Sequence, residues 1–150
     1  MISSASPTAN PNLAGILHVD DPSGQVVTLD FQLASGPSLN GFNINGLGKG
    51  RLQIAVPVTW TVHVNCQNEG LQHHSCAIIQ GTQTDQLAFP GASTPSPLLG
   101  MARGESNSFT FTPDRVGSFR LTCLVPGHME AGMWASFEVT AAGSPTVDAV

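Results

Sequence analysis

The sequence predicts an all-β domain, an antiparallel sandwich or barrel of seven to eight strands with Greek-key connections. Three observations carry that prediction. Apolar residues recur with period two in several short runs, sixteen glycines and eleven prolines punctuate the chain, and no long run shows the 3.6-residue period of a helix. At 150 residues the chain has the size of one domain, enough to bury about 68–70% of the surface its unfolded form exposes.

Residues 1–12 are polar and read as a flexible N-terminal segment, residues 13–140 as a single domain, and residues 141–150 as a C-terminal tail. Leu17 and Val19 begin a strand, Asp-Pro-Ser-Gly at 21–24 is a reverse turn, and Val27, Leu29, Phe31 and Leu33 alternate along the returning strand. Leu52, Ile54 and Val56 form the next inward set. Pro57 interrupts the ladder, and Val58, Trp60, Val62 and Val64 continue beyond it. Further strands run from His74 through Cys76 and Ile78, through Phe109 and Phe111, through Phe119, Leu121 and Cys123, and through Ala135, Phe137 and Val139. Between about Gly81 and Gly104 the chain is rich in Thr, Pro, Ser and Gly and reads as a long surface loop.

Composition excludes several classes of function. Five basic and ten acidic residues give a formal charge of −5, and charged residues make up 10% of the chain against about 25% in an average soluble protein. With no basic run, the counterion-release contribution that drives nucleic-acid affinity has no source. No stretch reaches the roughly 18 apolar residues of a membrane helix, and the N-terminus lacks the pattern of a signal peptide. The expectation is a soluble monomer, the trimmed part of an exported or anchored protein whose anchor is missing from this chain.

The chemistry concentrates in Leu121–Trp134, where a strand delivers Cys123, a Pro-Gly turn follows, and His128 and Met133 come at five-residue intervals. Sulfur ligands combined with imidazole suit copper, and two His with one Cys and a weak axial Met form the blue-copper electron-transfer arrangement. His74 supplies the second histidine. His73 adjoins it, but His74 shares the inward parity of Cys76 and Ile78. Met129 competes with Met133 as the axial ligand and is placed instead on the apolar rim, while His18 and His63 read as surface histidines and Trp60 and Trp134 as packing aromatics. Cys66 and Cys76 share the inward parity and admit two readings, a disulfide that stiffens the segment presenting His74 or two buried thiols.

Three segments give the chain its resemblance to the cupredoxins, and among them to the sulfocyanins, with the rusticyanins as more distant kin. They are Phe42-Asn-Ile-Asn-Gly46 leading to Leu52–Pro57, then His74-Ser-Cys-Ala-Ile-Ile79, and finally Cys123-Leu-Val-Pro-Gly-His128 with Ala131-Gly-Met-Trp134. Cys123, His128 and Met133, each separated by four residues, resemble the sulfocyanin and rusticyanin loop rather than the tighter plastocyanin one. The resemblance implies a cupredoxin-like fold and a single type 1 copper held by His74, Cys123 and His128, with Met133 axial. Ser75 is then expected to tie the two ligand segments together.

The implied function is not enzymatic. It is a one-electron shuttle between respiratory redox partners outside the cytoplasm, towards a haem-copper terminal oxidase or a cytochrome complex. Docking is expected to be transient and centred on His128, on an apolar surface built from Leu124, Val125, Pro126, Met129 and Ala131. Rival readings lack residues. A copper oxidase or nitrite reductase needs more histidines than His18, His63 and His73 provide, a binuclear centre needs a second cysteine in the ligand loop, and a zinc site leaves the spaced methionine unexplained. Few carboxylates also means few to protonate as pH falls, so the copper form is expected to stay folded at about pH 3.

Overall fold

The computed structural model describes Leu13 and residues 15–150. The segment 1–12, read from the sequence as flexible, lies outside the described residues. Among the described residues nine strands follow in order: β1 (Leu17–Asp21), β2 (Val26–Leu33), β3 (Leu52–Pro57), β4 (Thr61–Asn68), β5 (Ala77–Ile79), β6 (Ser106–Phe111), β7 (Gly117–Thr122), β8 (Trp134–Thr140) and β9 (Thr146–Ala149). One sheet has the order β1-β2-β4-β6 and the other β9-β3-β8-β7-β5. This is the two-sheet sandwich that the alternation predicts.

Three details differ from the sequence reading. The expected C-terminal tail contains β9, which pairs with β3 from Thr146 opposite Ala55 to Ala149 opposite Leu52, so the strand count exceeds eight. The pairings β2–β4 and β3–β8 are parallel, because the chain crosses to the opposite sheet between each pair and returns in the same direction. The strand expected from His74 begins only at Ala77; His74 itself makes an isolated bridge to Met101.

The core lies between the sheets and follows the period-two pattern. Val27, Leu29, Phe31 and Leu33 of β2 and Val62, Val64 and Cys66 of β4 face Leu52, Ile54 and Val56 of β3 and Ala135, Phe137 and Val139 of β8. Phe89, Phe111, Phe119 and Phe137 pack ring against ring with centroids 4.8–5.9 Å apart. The long 81–104 loop covers the β5 edge: Ala88 N–H donates to Ile78 C=O, and Ile78 N–H donates to Ala92 C=O. Edge strands need such cover because unpaired ladder groups invite other chains.

Candidate metal centre

The loop between β7 and β8 closes on itself through its own backbone. His128 N–H donates to Val125 C=O at 3.1 Å, Gly132 N–H to Met129 C=O at 2.9 Å, Met133 N–H to His128 C=O at 3.1 Å, and Cys123 N–H to Met133 C=O at 3.2 Å. Thr122 Oγ1 adds a second donor to Met133 C=O, at 3.1 Å. Pro126-Gly127 makes the turn possible, with Gly127 at φ +87°. Cys123, His128 and Met133 therefore sit on one hydrogen-bonded ring, with little freedom to separate.

His74 arrives from a different part of the chain and is held from three sides. Its N–H donates to Met101 C=O at 3.2 Å and its C=O accepts from Met101 N–H at 2.7 Å. Gly100, at φ +80°, makes this approach possible, since a Cβ there would stand 2.9 Å from the His74 backbone nitrogen. Two residues on, Cys76 is bonded to Cys66 of β4 in a disulfide, and Thr94 Oγ1 bonds both Cys76 N–H, at 3.1 Å, and Cys76 C=O, at 3.2 Å. Of the two readings of Cys66 and Cys76, the structure has the disulfide; Cys123 is the free, buried cysteine.

Together these segments converge three donors. One ligand atom from each of His74, Cys123 and His128 lies within 4.8 Å of the others, all three residues are buried, and no carboxylate joins the group among the described residues. Cys123 Sγ stands 3.4 Å from His128 Nδ1 and 4.0 Å from His74 Nδ1. In a trigonal site with metal–nitrogen and metal–thiolate bonds of about 2.0 and 2.3 Å, sulfur and nitrogen are separated by about 3.7 Å, and the two distances bracket that value. His73 is exposed and outside the group. Met133 is fully buried in the main core, whereas Met129 belongs to a small satellite cluster with Ala77, Ile79 and Leu124.

Ser75 links the two ligand segments. Its backbone N–H donates to Cys123 Sγ at 3.3 Å, its hydroxyl lies 3.8 Å from the same sulfur, and Leu124 N–H donates to Ser75 Oγ at 3.0 Å. Burial governs the protonation of the donors. It lowers His74 to about 4, with His128 and His73 adding to the effect, and it lowers His128 as well. It raises the Cys123 thiol, against the opposing N–H donors of Ser75 and Val125. Both imidazoles are thus neutral and ready to ligate at neutral pH, and a metal binding at Cys123 must displace the thiol proton. Neutral imidazoles with a buried sulfur and no carboxylate suit copper and disfavour hard cations.

The remaining histidines lie elsewhere. His18 Nε2 is 2.9 Å from Gly15 C=O, and His63 Nδ1 is 2.8 Å from Thr110 Oγ1. Trp60 is buried in the core, and Trp134 lies under the Arg120 guanidinium, 3.6 Å from its ring centroid. The apolar surface expected around His128 is corrected in part. Leu124 and Met129 are only 5% and 7% exposed because they pack on Ala77 and Ile79, and His128 itself is 8% exposed. Exposed apolar side chains near the ligand loop include Leu98 and Leu99, which border a cavity with Leu124. The sequence reading also assigned no role to Phe42, whose ring stands edge-on to both imidazoles. Its one sequence signal was its place at the head of the Phe42–Gly46 motif.

Residues 16–147 match the sulfocyanin (SoxE) domain. The chain belongs to the sulfocyanin family. It is 31% identical over 125 residues to sulfocyanin of Sulfolobus acidocaldarius, covering 75% of this chain and 63% of that protein. It is 33% identical over 92 residues to auracyanin-B of Chloroflexus aurantiacus, covering 51% of this chain and 39% of that protein. The chain thus spans less than two thirds of the length of either relative. Rusticyanin of Thiobacillus ferrooxidans superposes with a TM-score of 0.57 at 21% identity, over 91% of this chain and 95% of that one. That likeness shows the shared fold of this sulfocyanin-family chain.

Proposed function

We propose that this member of the sulfocyanin family is a mononuclear type 1 copper protein that carries single electrons between redox proteins and transforms no substrate. The observation that carries the reading is the buried convergence of His74 Nδ1, Cys123 Sγ and His128 Nδ1, with Ser75 N–H donating to the sulfur. Copper, when bound, supplies a one-electron couple between Cu(I) and Cu(II). The chain's own contribution is rigidity: the ligand loop is closed by its backbone bonds, and His74 is pinned by Met101, Thr94 and the Cys66–Cys76 disulfide. Met133 is the axial ligand in this reading, supported by its full burial and by its backbone bonds to His128 and Cys123.

The reading extends to an extracytoplasmic location and to transfer towards a haem-copper terminal oxidase or a cytochrome complex. The disulfide supports the location, because such bonds persist in oxidising compartments. Docking is transient and centred on the ligand loop, where Pro126 is exposed beside half-buried Val125 and Ala131, with Leu98 and Leu99 nearby.

Visible and electron paramagnetic resonance spectra of the protein with one equivalent of Cu(II) test the reading. The parent is expected to show an intense sulfur-to-copper charge-transfer band, lost in His74→Ala and shifted but retained in Met133→Leu. A colourless parent overturns the copper assignment, and an unchanged His74→Ala spectrum overturns the ligand set.

A further inference from the structure

The Phe42-Asn-Ile-Asn-Gly46 motif contributes no donor to the metal centre, yet its surroundings are built with care. We propose that Asn43 is a positioning residue that holds Phe42 as an aromatic cover over the two imidazoles, closing the centre to water on that side. The inference rests on the copper reading above and concerns residues outside the ligand set.

The Phe42 ring lies 4.9 Å from the His128 ring at 61° and 6.3 Å from the His74 ring at 88°, centroid to centroid. His128 is 8% exposed and His74 2%, and Phe42, itself half-buried, packs on the main core beneath. Next in the chain, the fully buried Asn43 uses every hydrogen-bonding site of its side chain. Its Oδ1 accepts from Ser35 N–H and Gly46 N–H, both at 2.9 Å, and its Nδ2 donates to Ser38 C=O at 2.8 Å and Gly36 C=O at 3.3 Å. One carboxamide thus knots four backbone groups of the 35–46 loop around the residue that carries the cover.

The loop needs the knot because its backbone is strained. Leu39 and Asn40 both adopt the left-handed region, at φ +52° and +56°, and Asn45 does so at +53°. For Leu39 in particular this costs free energy that surrounding contacts must offset. The conformation swings the Leu39 side chain over Gly48 and Gly132, where an added Cβ would collide with its Cδ1 at Gly48 and stand 3.3 Å from it at Gly132. Lys49 N–H donates to Gly132 C=O at 2.8 Å, so the same stretch of chain also braces the ligand loop beside Met133. A strained loop, knotted by a fully satisfied buried amide and ending in an aromatic ring on both imidazoles, is a closing device.

An apolar cover keeps the local dielectric low and disfavours the more highly charged oxidised centre, so removing it lowers the reduction potential. The experiment compares Phe42→Ala, Asn43→Ala and the double variant by protein-film voltammetry of the copper-loaded protein, and parent with Phe42→Leu by NMR of the metal-free protein. Asn43→Ala, which keeps the ring but frees it, is expected to lower the potential in the same direction as Phe42→Ala, and the double variant to fall no further than Phe42→Ala alone. In the metal-free parent the His128 ring protons are expected to carry ring-current shifts that vanish in Phe42→Leu, a readout that stands even if Asn43→Ala does not fold. Unchanged potential in a folded Asn43→Ala, additive shifts in the double variant, or no ring-current effect overturns the inference. A parent without the charge-transfer band overturns the copper reading instead.

Discussion

Replacing both Cys66 and Cys76 with alanine isolates what the disulfide does for this fold. The bond joins residues ten apart in sequence and closes a loop of about eleven residues, and the chain-entropy relation for a loop of that size gives about 9 cal/mol/K, or about 3 kcal/mol at 25 °C. For a domain of this length that corresponds to a fall of about 6–12 °C in melting temperature. Urea titration of the metal-free protein should show a lower midpoint together with a steeper slope, because the uncrosslinked unfolded chain exposes more surface. The pair also joins β4 to the segment that presents His74, so copper affinity should weaken alongside. A double variant within about 1 kcal/mol of the parent, with the same slope, would refute the reasoning and mean that Thr94 and Met101 already hold that segment.

Three further outcomes are expected. Ser75→Ala leaves the buried Leu124 N–H without its acceptor, so chemical denaturation should show a loss of about 1–3 kcal/mol, while the charge-transfer band persists because the Ser75 backbone N–H still reaches Cys123. Gly100→Ala brings a methyl within 3.0 Å of the His74 backbone at φ +80°, and calorimetry should show a lower melting temperature with weakened copper binding. In the metal-free protein, His74 takes up a proton at about 4 when folded but at about 6.5 when unfolded. The unfolded state binds more protons between those values, so stability should fall by about 3 kcal/mol as pH drops through that window. His128 acts in the same direction. Urea midpoints at neutral and acidic pH check this, and a flat or rising midpoint on acidification would refute it; copper-loaded protein should resist longer, since protons must then displace the metal.

Much of this molecule could be read without coordinates. The inward sets of β2, β3, β4 and β8 are the alternating residues themselves, because a strand's side chains change face at every step. Where the reading slipped, pairing partners rather than local pattern decided. Thr146–Ala149 has the composition of a tail and becomes β9 only because β3 offers it an edge. The docking surface was drawn from Leu124 and Met129 by their nearness in sequence to His128, yet both turn inward to cover Ala77 and Ile79.

Sequence alone placed Cys123, His128 and Met133 on one short loop, since they are close neighbours in the chain and the Pro-Gly turn between them closes through local hydrogen bonds. It also determined the sandwich class, for which period-two alternation is a sufficient local record. Alternation along the chain already favoured His74 over His73, but only the tertiary structure decided how closely His74 meets the ligand loop, that Cys66 and Cys76 are bonded, and that Phe42 lies across both imidazoles under the hold of Asn43. His74 and Cys123 are 49 residues apart in sequence, and no local periodicity records which groups meet over such a separation. That meeting is settled by how two twisted sheets pack and by which loops their crossings leave at the same end.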